Sequence, residues 1–198
     1  MNYLAHLVLG GCDPDLMLGN FIGDAVKGSP HRTLPKGVAD GVMLHRWIDT
    51  TADEHELSRI SRAELRPVLG RLSGVGLDLL HDYFLARHFD SFMPDWPGGL
   101  EGFARHVESQ LSARSAEMPE RSCRFLEAMK RNDWLVGYGD RDRMLDVCRS
   151  MDDRIPWDSH LGLLFDAVDA VDEVVLENRF LFLMHDLMAG RSQAWTAW

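Results

Sequence analysis

Apolar residues recur along this chain at helical rather than alternating spacing, and the pattern predicts helices nearly throughout. An apolar amino-terminal segment forms the first helix and carries His6. The second helix begins at Asp13-Pro14, where proline suits the first turn, and ends at Gly28-Ser29-Pro30. Further helices are predicted from Pro35-Lys36 through Ile48 and over residues 75–92, 100–116, 120–136, 140–151 and 160–188.

Strand patterns are missing from the sequence, because no alternating run rich in β-branched residues reaches strand length. The sequence therefore predicts one all-α domain of about seven or eight helices over residues 1–198. Pro94, Pro97, Gly98 and Gly99 make the clearest break in the pattern. That break, at 94–99, is the candidate boundary if the domain has two subdomains.

Composition and charge narrow the functional classes. The 198 residues are 45% hydrophobic and 26% charged, as in a globular protein, and the formal net charge is -10. We expect no general binding to nucleic acid, because phosphate backbones need a basic face. With no apolar run of about 20 residues and no signal-peptide pattern, we expect a cytoplasmic protein without a membrane contact. The three cysteines are too widely spaced for a disulfide framework or a CxxC metal site.

The charge is unevenly distributed, and one segment is basic. Arg59, Arg62 and Arg66 are separated by three and four residues, which places them on one stripe of a helix. Pro67 is expected to break or kink that helix before Arg71. The stripe is either a solvated helix face or a docking patch for an acidic partner.

Candidate chemistry points to a metal, because the common nucleophile and phosphate-loop motifs are missing. The densest cluster of ligand-type residues is His45, Asp49 and Asp53, spaced i, i+4, i+8 on one helix face. By itself this strip is either a solvated polar face or a set of metal ligands. Imidazole and carboxylate groups together suit Mn²⁺, Mg²⁺, Fe or Zn.

Three other predicted helices carry polar groups among apolar residues. Asp78 and Asp82 share one stripe, where the two carboxylates would repel each other unless a cation or arginine lies between them. Asn20 and Asp24 have the same spacing, and His6 lies in the first helix. Helical bundles build metal sites from such inward polar groups on several helices. These residues therefore predict one shared metal centre.

Four blocks of sequence, in this order and spacing, resemble the acyl carrier protein phosphodiesterase family. They are Met1-Asn2-Tyr3-Leu4-Ala5-His6-Leu7, residues 19–28 (GNFIGDAVKG), residues 44–49 (LHRWID) with Asp53, and residues 77–88 (LDLLHDYFLARH). The resemblance implies an all-α fold related to the HD phosphohydrolases and a divalent metal, typically Mn²⁺. It also implies hydrolysis of the phosphodiester that joins 4'-phosphopantetheine to the serine of an acidic acyl carrier protein.

The resemblance also implies roles for individual residues. His6 would be the first metal ligand, Asp24 the aspartate of the His-Asp pair, and Asp78 or Asp82 the distant aspartate. His45 would replace the imidazole lost at Gly23, where the family commonly has alanine. Tyr83 stands where the family pattern reads Asp-His, so its hydroxyl is expected to contact substrate or the family contact is lost.

The remaining expectations concern catalysis and substrate. Asp49 or Asp53 would orient the attacking water, and Lys27 or Arg46 would offset phosphate charge. Asn20 and the arginine stripe are expected to contact substrate. Two alternatives stay open: an HD-type phosphohydrolase acting on a nucleotide or another small phosphoester, and a non-catalytic helical binding protein.

Overall fold

A computed structural model describes residues 1–157 and 159–194, and within them the chain is helical with no strand. The α-helices are α1 (Tyr3–Gly10), α2 (Pro14–Ile22), α3 (Lys36–Glu54), α4 (Glu56–Leu69), α5 (Ser73–Arg87), α6 (Phe89–Phe92), α7 (Gly99–Ala113), α8 (Glu120–Arg131), α9 (Trp134–Gly137), α10 (Arg141–Asp152), α11 (Leu164–Val171) and α12 (Glu173–Ala194). Short 3-10 turns join several of them. The all-α prediction is confirmed, with more helices than predicted.

Three of the additional helices arise where local backbone geometry interrupts a hydrophobic pattern that itself continues. The predicted helix over 160–188 is two helices, because Asp172 has a φ of 110° and ends α11 before α12 begins. The predicted helix over 120–136 is interrupted in the same way by Asp133, with a φ of 47°. The helix predicted over 75–92 ends at Arg87, and the short α6 follows it.

Other helix boundaries follow the sequence signals. Asp13 caps α2, where its side chain accepts hydrogen bonds from the backbone N–H groups of Asp15 and Leu16 at 2.9 and 3.0 Å. Of the two outcomes expected at Pro67, a break or a kink, the break is wrong, because α4 continues to Leu69 with the proline inside its last turn.

Two glycines lie where α2 and α3 pack against each other. A Cβ atom on Gly19 would lie 2.0 Å from the carbonyl oxygen of Val38, and one on Gly41 would lie 2.8 Å from the Cα of Gly19. The two backbones can therefore approach each other only without side chains at these positions. This contact brings the end of α2 against the middle of α3, where His45 lies.

One hydrophobic core includes residues from α1 to α12 and from both sides of the 94–99 break, such as Phe84, Phe103 and Phe180. None of the described helices combines the length and the apolar character needed to cross a membrane.

Candidate metal centre

Three of the predicted site residues form one compact cluster. His6 of α1, and His45 and Asp49 of α3, each offer a ligand atom, and these atoms all lie within 4.8 Å of one another. Both histidines are buried, with 3% and 6% of their surfaces exposed, and their rings stack with centroids 4.1 Å apart. We call His6, His45 and Asp49 the metal cluster.

Asn20 fixes how the two imidazole rings present their nitrogens. The Nδ1 of His6 lies 3.0 Å from the side-chain oxygen of Asn20, and the Nδ1 of His45 lies 2.9 Å from its backbone oxygen. Both partners are acceptors, so each Nδ1 carries the hydrogen and donates it. In a neutral ring the Nε2 atom is then unprotonated and presents a lone pair. A hydrogen bond of 2.6 Å from the Asn20 amide to the backbone oxygen of His6 holds the arrangement.

The Nε2 atoms of both rings face carboxylates rather than donors. The Nε2 of His6 is 3.0 Å from one oxygen of Asp49, and the Nε2 of His45 is 3.2 Å from the other. The same His45 atom is 3.4 Å from an Asp24 oxygen, yet it is buried and forms no hydrogen bond with any described residue. Acceptors that face one another at this distance need a proton or a metal ion between them.

The pKa values of the cluster residues also indicate that the cluster favours a bound positive charge. Burial acts to lower the pKa of His45, but the carboxylates of Asp24 and Asp49 outweigh it and raise that pKa to about 9. Burial lowers the pKa of His6 in spite of its hydrogen bond to Asp49. The two histidines hold the pKa of Asp49 below its usual range, although burial of that carboxyl opposes this. Two imidazole nitrogens and a carboxylate form a donor set that fits a first-row divalent metal.

Gly23 allows the His45 ring to occupy its position. A Cβ atom at residue 23 would lie 2.3 Å from the Cγ of His45, well inside van der Waals contact. The glycine therefore leaves room for the imidazole against the end of α2.

The other predicted metal ligands lie around the cluster in different roles. The Asp78 carboxylate is 3.2 Å from the ammonium group of Met1, which is also 3.3 Å from Asp49. Asp82 is fully buried and accepts hydrogen bonds from the backbone N–H groups of Leu4 and Ala5 at 2.8 and 2.9 Å. Its carboxylate thus caps the start of α1 instead of facing the metal cluster, and burial raises its pKa to about 7.

Of the predicted catalytic residues, only Asp49 lies in the metal cluster. Asp53 continues the same helix face but forms an ion pair with Arg62 at 2.6 Å. The guanidinium of Arg46 donates to the backbone oxygens of Val26 and Gly28 at 3.0 and 2.9 Å, so it holds the loop that carries Lys27.

Tyr83 lies in a separate set of polar contacts. Its hydroxyl donates to Glu173 at 3.0 Å and accepts from Arg87 at 2.9 Å, and Arg141 reaches the other Glu173 oxygen at 3.3 Å. We call Tyr83, Arg87, Arg141 and Glu173 the Tyr83 network. The expectation that Tyr83 contacts substrate therefore stays a prediction without a contact that supports it.

The arginine stripe lies on α4 as the spacing predicts. Arg59 and Arg66 are exposed, and Arg62 is partly buried and pairs with Asp53. Sequence reasoning missed Arg121, which lies with Lys27 and Asp24 around one cavity. No spacing in the sequence could have indicated this, because Arg121 is 94 residues away from Lys27.

The family model for acyl carrier protein phosphodiesterase matches residues 1–187 of the chain. Similar curated proteins carry that name. One from Yersinia pestis is 32% identical over 85% of this chain and 86% of its own. One from Escherichia coli O157:H7 (strain EC4115 / EHEC) is 31% identical over 98% of both chains, and one from Enterobacter sp. (strain 638) is 32% identical over 91% and 92%. No solved structure matches the chain.

Proposed function

This chain belongs to the acyl carrier protein phosphodiesterase family, and from that membership we propose that it hydrolyses the phosphodiester between 4'-phosphopantetheine and the serine of holo acyl carrier protein. The products are the apo carrier and free phosphopantetheine. The observation that carries the proposal is the metal cluster, because its facing acceptors match the divalent metal that this chemistry uses.

The cofactor we propose is a divalent metal held by His6, His45 and Asp49, with Mn²⁺ as its identity. Mg²⁺ and Fe²⁺ suit carboxylate ligands as well, and the two imidazoles favour Mn²⁺ or Fe²⁺ over Mg²⁺. When bound, such an ion polarises a phosphoryl oxygen and makes a water molecule more acidic. The ligand geometry is maintained by Asn20, because both of its oxygens hold imidazole rings in place.

The charged side chains beside the cluster have separate proposed roles. Asp24 is largely exposed, and its carboxylate lies beside His45, so it is placed to orient a water molecule and accept its proton. Lys27 lines a cavity with Asp24, where its ammonium would offset the charge of the phosphate. Arg46 supports this role by holding the Lys27 loop through two backbone oxygens.

The partner we propose is an acidic carrier, attracted by a local basic surface because the chain itself has a net charge of -10. The arginine stripe Arg59, Arg62 and Arg66 is such a surface. It lies close to the cluster along α3, because Arg62 pairs with Asp53, one helical turn after Asp49. Charges at the edge of an interface mainly set the rate of encounter and the salt dependence.

Incubation of the metal-loaded chain with holo carrier tests this function directly. We expect the carrier to lose the mass of phosphopantetheine with Mn²⁺ present and to keep it after chelation. His45→Ala should abolish the release, whereas Asn178→Ala, at an exposed position of α12, should not change it. An intact carrier, together with turnover of a nucleotide or small phosphoester, would contradict the proposal and select the alternative substrate class.

A further inference from the structure

Two cavities meet beside the metal cluster. The larger has a volume of about 730 Å³ and reaches Met1, Asp24 and Asp78, while the smaller, of about 490 Å³, reaches Asp24, Lys27 and Arg121. Both have Tyr3, Asp24 and Phe125 in their walls. Asp24, whose carboxylate is 3.4 Å from the Nε2 of His45, therefore belongs to the walls of both cavities.

Two helices face each other across the larger cavity. Val75 and Leu79 line it from α5, and Val147, Ser150 and Met151 line it from α10. Leu79 is four residues after Val75, and Ser150 and Met151 are three and four residues after Val147. The lining residues of each helix therefore share one face. The cavity extends from Met1, Asp24 and Asp78, which neighbour the metal cluster, to the space between two helices that come from distant parts of the chain.

The larger cavity offers apolar surface and hydrogen-bonding groups to a flexible chain, and its charged side chains are of both signs: Asp24, Asp78, Asp146, Arg143 and Arg154. Phe125, Trp134 and the residues from α5 and α10 supply apolar surface, and Asn2, Asn132 and Ser150 supply hydrogen-bonding groups. Binding sites for small molecules have this composition, and their volumes range from about 300 to 1,000 Å³. In the smaller cavity the cations Lys27 and Arg121 outnumber the one carboxylate, Asp24, whereas in the larger cavity three carboxylates accompany two arginines.

A phosphodiester needs two such spaces, because its phosphorus carries two ester groups that extend in different directions. We propose, on the basis of the proposed function, that the larger cavity binds the pantetheine arm and that the carrier lies over the smaller cavity. The arm has two amides, a hydroxyl and a pair of methyl groups, which match the apolar walls and their amide and hydroxyl groups. The acidic carrier matches Lys27 and Arg121.

Free pantetheine is the probe that tests the larger cavity, because it lacks the phosphate and is not hydrolysed. Titration calorimetry should detect its binding to the intact chain. Val147→Trp, which fills the cavity from α10, should weaken this binding at least tenfold and leave the metal content unchanged. Asp142→Trp is the matched control: it places the same side chain at an exposed position of the same helix, away from the cavity, and should bind like the parent.

Val75→Phe fills the cavity from the opposite wall and is the second variant if Val147→Trp does not fold, as judged by circular dichroism. Binding of equal strength by the folded filled variant and the parent, or no binding by the parent at millimolar pantetheine, would overturn the assignment. These results are distinct from failure of the proposed function. Hydrolysis of holo carrier with an unchanged KM in the filled variant would keep the function and reject the cavity. Pantetheine binding that Val147→Trp weakens, in a chain that does not hydrolyse holo carrier, would keep the cavity assignment and reject the proposed function.

Discussion

The metal cluster and the Tyr83 network are both polar groups at the edge of the core, and they differ in how their hydrogen bonds are satisfied. In the Tyr83 network each donor faces an acceptor: the Tyr83 hydroxyl and two guanidinium groups surround Glu173. In the metal cluster, the Nε2 atoms of His6 and His45 both face the carboxylate of Asp49, while the Nδ1 atom of each ring already donates to Asn20. The first arrangement is complete without a ligand, whereas the second needs a proton or a metal ion beside each Nε2 atom.

The comparison shows how a structural polar cluster can be distinguished from a functional one in the same molecule. Residue type does not separate them, because both contain carboxylates next to cationic or ionisable groups. The two clusters differ because acceptor atoms face acceptor atoms only in the metal cluster. Buried acceptors that face each other cost free energy unless a proton or an ion lies between them.

The largest expected effect comes from removing a metal ligand. His45→Ala should reduce metal affinity and turnover by more than about a hundredfold, beyond the 10- to 100-fold typical of residues that only support ligands. Elemental analysis of the purified chain and the release of phosphopantetheine measure the two quantities. Glu173→Gln, in the Tyr83 network, should change neither. Equal metal content in His45→Ala and the parent would place the metal elsewhere.

A smaller effect is expected when the ligand orientation is disturbed. Asn20→Ala leaves the Nδ1 of His6 without its acceptor and should weaken metal binding by about 10- to 100-fold. A competition titration with a fluorescent chelator gives the affinity. The control Asn178→Ala removes an exposed amide and should bind like the parent. Unchanged affinity in Asn20→Ala would show that the rings keep their orientation without this residue.

The next effect concerns the space for the His45 ring. Gly23→Ala introduces a Cβ atom 2.3 Å from the His45 Cγ, so the ring must move, and metal affinity should fall by about tenfold. Gly74→Ala is the matched control, because its added Cβ has nothing nearer than Arg62 Nε at 3.9 Å. The same chelator competition compares them. Parent-like affinity in Gly23→Ala would mean that the metal does not depend on this ring position.

The arginine stripe is a third polar region, open to solvent, and a change there should be smaller and dependent on salt. Arg59→Glu with Arg66→Glu should raise the KM for holo carrier several-fold at low ionic strength and leave metal binding unchanged. The difference from the parent should decrease as salt is added. Steady-state kinetics at two salt concentrations measures it, and equal KM values at low salt would exclude the stripe as the docking surface.

The smallest effect on activity is expected in the Tyr83 network. Tyr83→Phe removes the hydroxyl that bonds Glu173 and Arg87 and should lower the free energy of unfolding by about 1 kcal/mol. Chemical denaturation measures this loss, while turnover and metal content should remain at parent values. A changed rate or metal preference would instead connect Tyr83 to the site, as the family pattern predicts for this position.

Much of the site was predictable because its residues repeat at helical spacing. His45 and Asp49 are one turn apart on one helix, and this spacing alone places them on the same face. The sequence also predicts that His6, Asn20 and Asp24 lie in helices with apolar neighbours. It could not separate Asp53 or Asp82 from the ligands, because Asp53 pairs with Arg62 and Asp82 caps α1.

The sequence by itself determined the helical fold class, the start of α2 and the residues from which the metal cluster is formed, since these depend on local spacing and capping. Only the tertiary structure decided which groups face one another. The approach of α2 to α3 through Gly19 and Gly41, the room that Gly23 leaves for His45, and the cavity between α5 and α10 all join distant segments. Local sequence patterns do not indicate such contacts, because the contacts depend on how helices pack and not on the order of residues within one helix.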